Sequence, residues 1–172
     1  KKIMSGFNIF IKNKTFPLKD RSDQKKNIIF KNFKLEIPVG ELLCLFGPSG
    51  CGKTTLLNIV SSLDNKFNGL TTYNDKKITE ENISYLFQSP RLFPWLTAQE
   101  NIEFPIKKEK NSGKIASNLL KEIGLKKFAN SFPNKLSGGM QRRVALARAF
   151  STNPKILLLD EPFISLDNKI AD

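Results

Sequence analysis

The chain has 172 residues, of which 40% are hydrophobic and 26% are charged. This length fits one domain, and the composition excludes disordered, collagen-like and coiled-coil chains. No apolar run approaches the roughly 20 residues that a membrane-spanning helix needs, and no secretory signal is visible, so we expect a cytosolic protein. Two cysteines and no histidine leave no disulfide framework, no histidine-containing zinc site and no histidine acid–base chemistry.

The net charge of +12 raises the question of nucleic-acid binding. The excess positive charge lies in residues 1–40 and 105–135 and is mostly lysine. Clusters of arginine and aromatic residues, which read bases or single strands, are missing from the sequence. We therefore expect a solvated, lysine-rich surface, with attraction to an anionic membrane surface as the alternative.

The first half of the chain predicts strands at residues 7–11 and 33–37, separated by a polar, exposed loop over residues 19–27. A buried strand is predicted at residues 41–46. It leads into a glycine-rich turn and a helix predicted over residues 53–63, so that strand, loop and helix follow in the order of a phosphate-binding unit.

The second half predicts a strand at residues 83–87, ending at Gln88, and then a mostly helical lobe. Helices are predicted at residues 97–103 and 113–123, and Thr97 with Glu100 forms a capping box at the first. Ser137 is expected to cap a helix over residues 138–150, and residues 155–160 form an apolar strand ending in acid. We expect one α/β domain over residues 1–172, incomplete at its C-terminus, with residues 89–150 as a helical lobe and residues 1–88 and 151–172 as the core.

Residues 47–54 fit the phosphate-loop pattern G-x-x-x-x-G-K-[ST] in every required position. Glycines let backbone N–H groups turn inward around a triphosphate, and the next helix presents its positive N-terminal end. Lys53 should reach the β- and γ-phosphates, the Thr54 hydroxyl should coordinate Mg²⁺, and Thr55 should add a phosphate hydrogen bond. The expected nucleotide-binding residues are Gly47, Pro48, Ser49, Gly50, Cys51, Gly52, Lys53, Thr54 and Thr55. An ordinary glycine-rich turn is the alternative, which the flanking predicted strand and helix disfavour.

Two acids, Asp160 and Glu161, follow the apolar run at residues 156–159. Such acids lie at the carboxyl edge of a parallel sheet, where open α/β folds bind ligands. We expect Asp160 to hold a Mg²⁺-bound water and Glu161 to polarise the attacking water as a general base. An apolar strand followed by acids is common, so this pattern gains its weight from the phosphate loop.

Residues 136–141, Leu-Ser-Gly-Gly-Met-Gln, open an alanine-rich helix and create a second anion-binding helix N-terminus. With this motif the chain resembles an ATP-binding-cassette ATPase, the nucleotide-binding subunit of a membrane transporter. The resemblance rests on the phosphate loop, Gln88, residues 136–141 and the acid-ended strand, in the family's order. Residues 165–167 are similar to the family's D-loop.

The resemblance implies a RecA-like P-loop NTPase core with an inserted helical lobe and an N-terminal antiparallel β part. It also implies head-to-tail pairing with a second ATP-binding subunit, identical or similar. Ser137, Gly138 and Gly139 of one chain would then meet the γ-phosphate held by Lys53 of the other. Gln88 would contact Mg²⁺ and the attacking water, and Phe16 would stack on adenine. Glu161, Gln88 and Lys53 are the expected catalytic residues, and Thr54, Gln88 and Asp160 the expected metal ligands.

An integral membrane permease subunit would dock near the segment from Arg91 to Glu103, at the cytoplasmic face of the membrane. A solute-binding protein would take part indirectly, and no specific nucleic acid is expected. Residues 93–97 and 136–150, with Met140 at the fifth place of the motif, are similar to those of bacterial importers of the nitrate, sulfonate, taurine or thiamine-precursor type. Because the family continues past the acid-ended strand, we expect its terminal strands and switch region to be missing here. The alternatives are a soluble ATPase of this family acting on nucleic acid, and a catalytically impaired remnant.

Overall fold

A computed structural model describes residues 6–17, 26–78 and 82–160 of the chain. The chain divides into two compact units, the first extending to residue 80 and the second starting at residue 81. Within the described ranges, no helix has the length and apolar character needed to span a bilayer.

The first unit contains a four-stranded antiparallel sheet with the order β2-β1-β3-β4. Its strands are β1 (Gly6–Pro17), β2 (Lys26–Pro38), β3 (Asn68–Tyr73) and β4 (Lys76–Lys77). Alternation along β1 buries Phe7, Ile9 and Ile11 on one face of the sheet. The expected N-terminal antiparallel β part is thereby confirmed.

Both predicted strands of this sheet are longer than expected, because β1 and β2 pair along most of their length. Residues 26–27 belong to β2 rather than to the predicted exposed loop, and residues 18–25 lie outside the described ranges. Strand β3 is not predicted from the sequence, because its exposed Asn68 and Gly69 are weak strand formers.

Helix α1 (Lys53–Val60) begins where it was predicted and ends earlier than residue 63. Ser62 adopts a left-handed φ of 62°, and the Asp64 N–H donates to the Asn58 carbonyl at 3.0 Å. A left-handed residue and a bond that reaches back into the last turn end a helix in this way.

The prediction of a buried strand at residues 41–46 is wrong. Leu42 is 84% exposed and Phe46 92% exposed, and the described strands form no ladder with this segment. An apolar run suits a strand, but only a hydrogen-bonded neighbour makes one, and sequence pattern does not show where the neighbour lies.

The second unit contains three packed helices, α2 (Ala98–Glu103), α3 (Ser112–Glu122) and α4 (Gly138–Ser151). Each lies within one residue of its predicted bounds. The Thr97 capping box is confirmed, since its hydroxyl accepts from the Glu100 N–H at 3.3 Å and the Glu100 carboxylate accepts from the Thr97 N–H at 2.7 Å. The core between the helices consists of Ala98, Ile102, Ala116, Leu120, Leu125, Leu136, Val144 and Ala147.

The same unit contains a parallel pair of strands, β5 (Ile83–Leu86) and β6 (Ile156–Leu159). Leu86 is paired with Leu159, so the two strands end together. Gln88 and Asp160 therefore follow the same carboxyl edge, as their predicted positions after two apolar strands required.

Candidate functional site

The phosphate loop is a continuous turn whose shape depends on its glycines. Gly50 and Gly52 have φ values of 80° and 100°, a region that residues with a side chain rarely adopt. A Cβ atom at Gly47 would lie 2.7 Å from the Cys51 sulfur. The glycines of the motif are therefore needed for the backbone conformation of the loop itself, and not only for contact with a ligand.

The ammonium group of Lys53 folds back over this turn. Lys53 Nζ donates to the carbonyl oxygens of Gly47 at 2.7 Å and Pro48 at 3.0 Å. These acceptors are neutral, and a hydrogen bond to an ionised phosphate oxygen is about twice as strong. An incoming phosphate can therefore draw this ammonium away from the loop carbonyls.

The N-terminus of α1 offers further donors to an anion. Gly52 occupies the cap position without a side-chain cap hydrogen bond, and the first turn contains no acidic residue. The first N–H groups of a helix and its dipole favour a negative ligand, and no carboxylate in this turn competes for them. Thr54 is exposed and Thr55 half-buried at this end. The residue types here fit a polyphosphate.

Phe16, the predicted adenine platform, lies near the end of β1 in the same unit. Its ring is 40% exposed, and the Lys14 ammonium lies over it at 4.5 Å from the ring centroid. An exposed aromatic ring on a strand supplies the flat apolar surface that base stacking needs.

Asp160 is held at the edge of the parallel strands by two hydrogen bonds. Its N–H donates to the Leu86 carbonyl at 3.0 Å, and its Oδ2 accepts from the Tyr85 hydroxyl at 3.2 Å. Burial raises the pKa of Tyr85, and the adjacent Asp160 charge raises it further, so the phenol stays protonated and donates. The role of Tyr85 is not visible in the sequence, because the register of β5 against β6 brings its hydroxyl to this acid.

The predicted metal ligands are all hard oxygen donors: the Thr54 hydroxyl, the Gln88 amide and the Asp160 carboxylate. Mg²⁺ prefers such donors and takes one or two carboxylates together with substrate phosphates. In the described part of the chain, no cluster of three or more Cys, Asp or Glu could hold a metal by itself. Each of these three residue types is thus one that Mg²⁺ accepts as a ligand. Glu161 and residues 165–167 lie outside the described ranges.

The N-terminus of α4 carries the second predicted anion site. The Ser137 hydroxyl accepts from the Met140 N–H at 3.2 Å, which confirms Ser137 as the cap. A Cβ at Gly138 or Gly139 would meet no atom within 4 Å beyond the neighbouring backbone, among the residues described. Glycine costs roughly 1 kcal/mol of helix stability relative to alanine inside a helix. Packing among the described residues does not explain why two glycines stand here.

A buried asparagine fixes the loop before α2. Asn101 is fully buried, and its Oδ1 accepts from the Phe93 N–H at 2.8 Å. Its Nδ2 donates to the carbonyls of Phe93, Leu96 and Thr97 at 2.9–3.2 Å. This role is not visible in the sequence, because an asparagine in a short amphipathic helix gives no sign of which loop groups it will contact.

Three aromatic rings lie together in the segment predicted to meet a membrane partner. The Phe93 ring centroid is 5.6 Å from that of Trp95 and 4.6 Å from that of Phe104. Trp95 is 69% exposed and Phe104 53% exposed. Arg148 of α4 supports the segment by donating to the carbonyls of Pro90 and Arg91, both at 3.0 Å.

Comparisons with known proteins find relatives of this chain. A family model described as "ABC transporter" matches residues 30–164. The chain is 44% identical over 163 residues to the aliphatic sulfonates import ATP-binding protein SsuB of Bacillus subtilis, an alignment that covers 92% of this chain and 62% of that protein. It is 42% identical over 163 residues to the nitrate import ATP-binding protein NrtC of a Synechocystis species, covering 90% of this chain and 24% of that protein.

A solved structure gives the same result at the level of the fold. The dimeric ATP-binding cassette MJ0796, in a post-hydrolysis state bound to ADP and Pi, superposes with a TM-score of 0.80 at 37% identity. This match covers 95% of the present chain and 77% of that one. The chain spans about three fifths of the length of the sulfonate-import relatives it matches.

Proposed function

Because the chain belongs to the ABC transporter family, we propose that it is the ATP-binding subunit of an importer, of the kind that carries a sulfonate or nitrate. In this role it binds and hydrolyses ATP and so drives a small solute through a membrane partner. The observation that carries the proposal is the phosphate loop, with the Lys53 ammonium resting on the carbonyls of Gly47 and Pro48.

ATP binding proceeds by exchange of hydrogen-bond partners at this loop. The triphosphate takes the Lys53 ammonium from the loop carbonyls and accepts hydrogen bonds from backbone N–H groups of residues 47–55, Pro48 excepted. Phe16 stacks on the adenine. We assign nucleotide binding to the predicted core, residues 1–88 and 151–172, and contact with a second copy to the predicted lobe, residues 89–150.

Hydrolysis needs a water placed in line with the bond that breaks. Glu161 accepts a proton from this water while the water oxygen forms a bond to the γ-phosphorus. The bond between the γ-phosphorus and the oxygen that leaves with ADP breaks. Gln88 orients the same water. Thr54, Gln88 and Asp160 are the residues that would hold Mg²⁺, and the ion would supply neutralisation of the developing negative charge.

A second ATP-binding chain, identical or similar, completes the site. Ser137, Gly138 and Gly139 of one copy face the γ-phosphate that Lys53 of the other copy holds. The open space around the two glycines supports this arrangement, since it leaves room for a phosphate to approach the helix backbone.

The permease subunit docks against the segment from Arg91 to Glu103. The exposed rings of Trp95 and Phe104 supply apolar contact area, and Asn101 and Arg148 hold the loop in a fixed shape. Through this contact the chain works as a peripheral subunit at the cytoplasmic face of the membrane, and the solute-binding protein acts indirectly, through the permease.

The proposal is tested by nucleotide titration of the wild type and of Lys53→Ala. ATP affinity should fall by about tenfold or more in the variant, because a charged hydrogen bond to phosphate is lost. Lys114→Ala removes an exposed lysine of α3 and serves as the charge-matched control. Equal ATP affinity in the wild type and Lys53→Ala contradicts the proposal.

A further inference from the structure

We propose that Lys14 is a positioning residue for ATP recognition, which fixes the Phe16 ring relative to the helix that begins at the phosphate loop. The proposal rests on the proposed function and deepens it, because it assigns a role to a buried cation that the phosphate-loop chemistry does not use.

The burial of Lys14 is the first observation. Its side chain is about 2% exposed, and its ammonium donates to Asp64 Oδ2 at 2.5 Å and to the Lys66 carbonyl at 3.0 Å. Lysine is among the residues that are almost never fully buried unless paired, because the ammonium loses its hydration. Replacing both members of a buried ion pair by apolar side chains is often neutral or stabilising, so packing alone does not account for the charge of Lys14.

Asp64, the partner of Lys14, is fixed to the far end of α1. Its N–H donates to the Asn58 carbonyl at 3.0 Å, and its Oδ1 accepts from the Lys66 N–H at 2.9 Å. Burial works to raise the pKa of Asp64, but the hydrogen bonds from Lys14 and the Lys66 backbone outweigh it and hold that pKa below its usual value. The carboxylate therefore stays ionised and joins α1 to β1.

The use of the charge lies at Phe16, two residues along β1 from Lys14. The ammonium lies over this ring at 4.5 Å from its centroid, while the ring remains 40% exposed. A cation over one face of an aromatic ring is attracted by its negative π-surface and holds the ring in place. The ring is thus oriented by Lys14 and still accessible for stacking.

These contacts form one connected path between the two parts of the nucleotide site. Phe16 is held by Lys14, Lys14 by Asp64, and Asp64 by the end of α1, whose first residue is Lys53 of the phosphate loop. Because an α-helix is stiff, the path sets the distance between the adenine platform and the triphosphate site.

Comparison of two ligands separates this role from general stability. ATP uses both parts of the site, whereas inorganic tripolyphosphate uses only the phosphate loop. In Lys14→Met we expect ATP affinity to fall about tenfold, the loss of a buried cation–π contact, with tripolyphosphate affinity unchanged. In turnover the variant should raise KM for ATP and leave kcat unchanged.

Matched variants keep the test decisive. Lys12→Met removes an exposed lysine of the same strand and should leave both affinities unchanged. Asp64→Asn keeps hydrogen-bonding groups at that position while removing the charge, and should lower ATP affinity without changing tripolyphosphate affinity. It provides the measurement if Lys14→Met does not fold.

Three results overturn parts of the account separately. If Lys14→Met or Asp64→Asn lowers the affinity for ATP and for tripolyphosphate equally, the ion pair has only a structural role. Unchanged ATP affinity in Phe16→Ala removes the adenine platform and this inference with it. Failure of the wild type to bind either ligand, or unchanged binding in Lys53→Ala, overturns the proposed function itself.

Discussion

The three-helix cluster and the segment that leads into the phosphate loop differ sharply in how they are held. In the cluster, Ile102, Leu120 and Val144 are completely buried, and the loop before α2 is fixed by Asn101. In the segment, Leu42 and Phe46 are almost fully exposed, and the phosphate loop is held by bonds among its own residues.

The difference separates two ways of preparing a site. The helical cluster presents its exposed aromatic rings and the Ser137 helix end on a packed support. The phosphate loop carries a positive charge whose partners among the described residues are neutral groups of the loop itself, the Gly47 and Pro48 carbonyls and the Cys51 sulfur, so a phosphate from outside is a stronger partner. Substitutions in the cluster should therefore act on stability, and substitutions around the loop should act on binding and turnover.

The largest expected effect is on turnover, and the substitution that causes it should leave the free energy of unfolding unchanged. Glu161→Gln should lower kcat by about 10²- to 10⁴-fold, the usual contribution of a general base, while ATP affinity is retained. Steady-state phosphate release and nucleotide titration give the two values. Retained turnover would assign proton removal to another group.

A large effect on stability is expected in the helical cluster. Leu120→Ala should lower the free energy of unfolding by about 2–5 kcal/mol, because it leaves a cavity among packed side chains. Leu42→Ala deletes an equal volume at an 84% exposed position. It should change the free energy of unfolding by less than about 0.5 kcal/mol. Urea denaturation measures both, and equal losses would erase the difference between the two regions.

A smaller effect is expected at the buried asparagine. Asn101→Ala leaves the Phe93 N–H without its side-chain acceptor and removes the side-chain donor of the Leu96 carbonyl, while the Phe93 and Thr97 carbonyls keep backbone donors; the loss should cost about 1–3 kcal/mol. It should also release the loop of Trp95, the single tryptophan, and so change its fluorescence. Gln99→Ala, on the same helix, removes only a bond to Glu103. A matching change in Gln99→Ala would show that the loop is not fixed by Asn101.

The smallest effect is expected at Tyr85. Tyr85→Phe removes one hydrogen bond to Asp160 and should cost about 0.5–1.5 kcal/mol near neutral pH. Since folding raises the Tyr85 pKa above its usual value of about 10, its contribution is present below that pH and is lost as the pH rises beyond it.

Urea denaturation at several pH values above neutral gives the check on Tyr85. The difference in stability between wild type and Tyr85→Phe should shrink as the pH rises above about 10. A difference that stays constant over this range would show that the Tyr85 hydroxyl makes no contact that depends on its proton.

Local signals predicted most of the helices and several site elements. Thr97 and Ser137 mark helix starts because capping depends on residues three positions apart, and the phosphate loop depends on its own glycines. The features that were not predicted correctly depend on residues that lie far away in the sequence. None of the described strands pairs with residues 41–46, Tyr85 meets Asp160 through strand register, and Lys14 meets Asp64 across 50 positions.

Cross-linking between two copies tests the central claim most directly. If one γ-phosphate lies between the loop of one copy and the Ser137 turn of another, Cys51 and a thiol introduced by Ser137→Cys should come within reach of a short bifunctional maleimide. With Glu161→Gln to retain ATP and Cys44→Ser to remove the other thiol, we predict a two-chain product that requires ATP. Adding Cys51→Ser should abolish it. Linkage that is absent or unchanged by ATP would contradict the shared site.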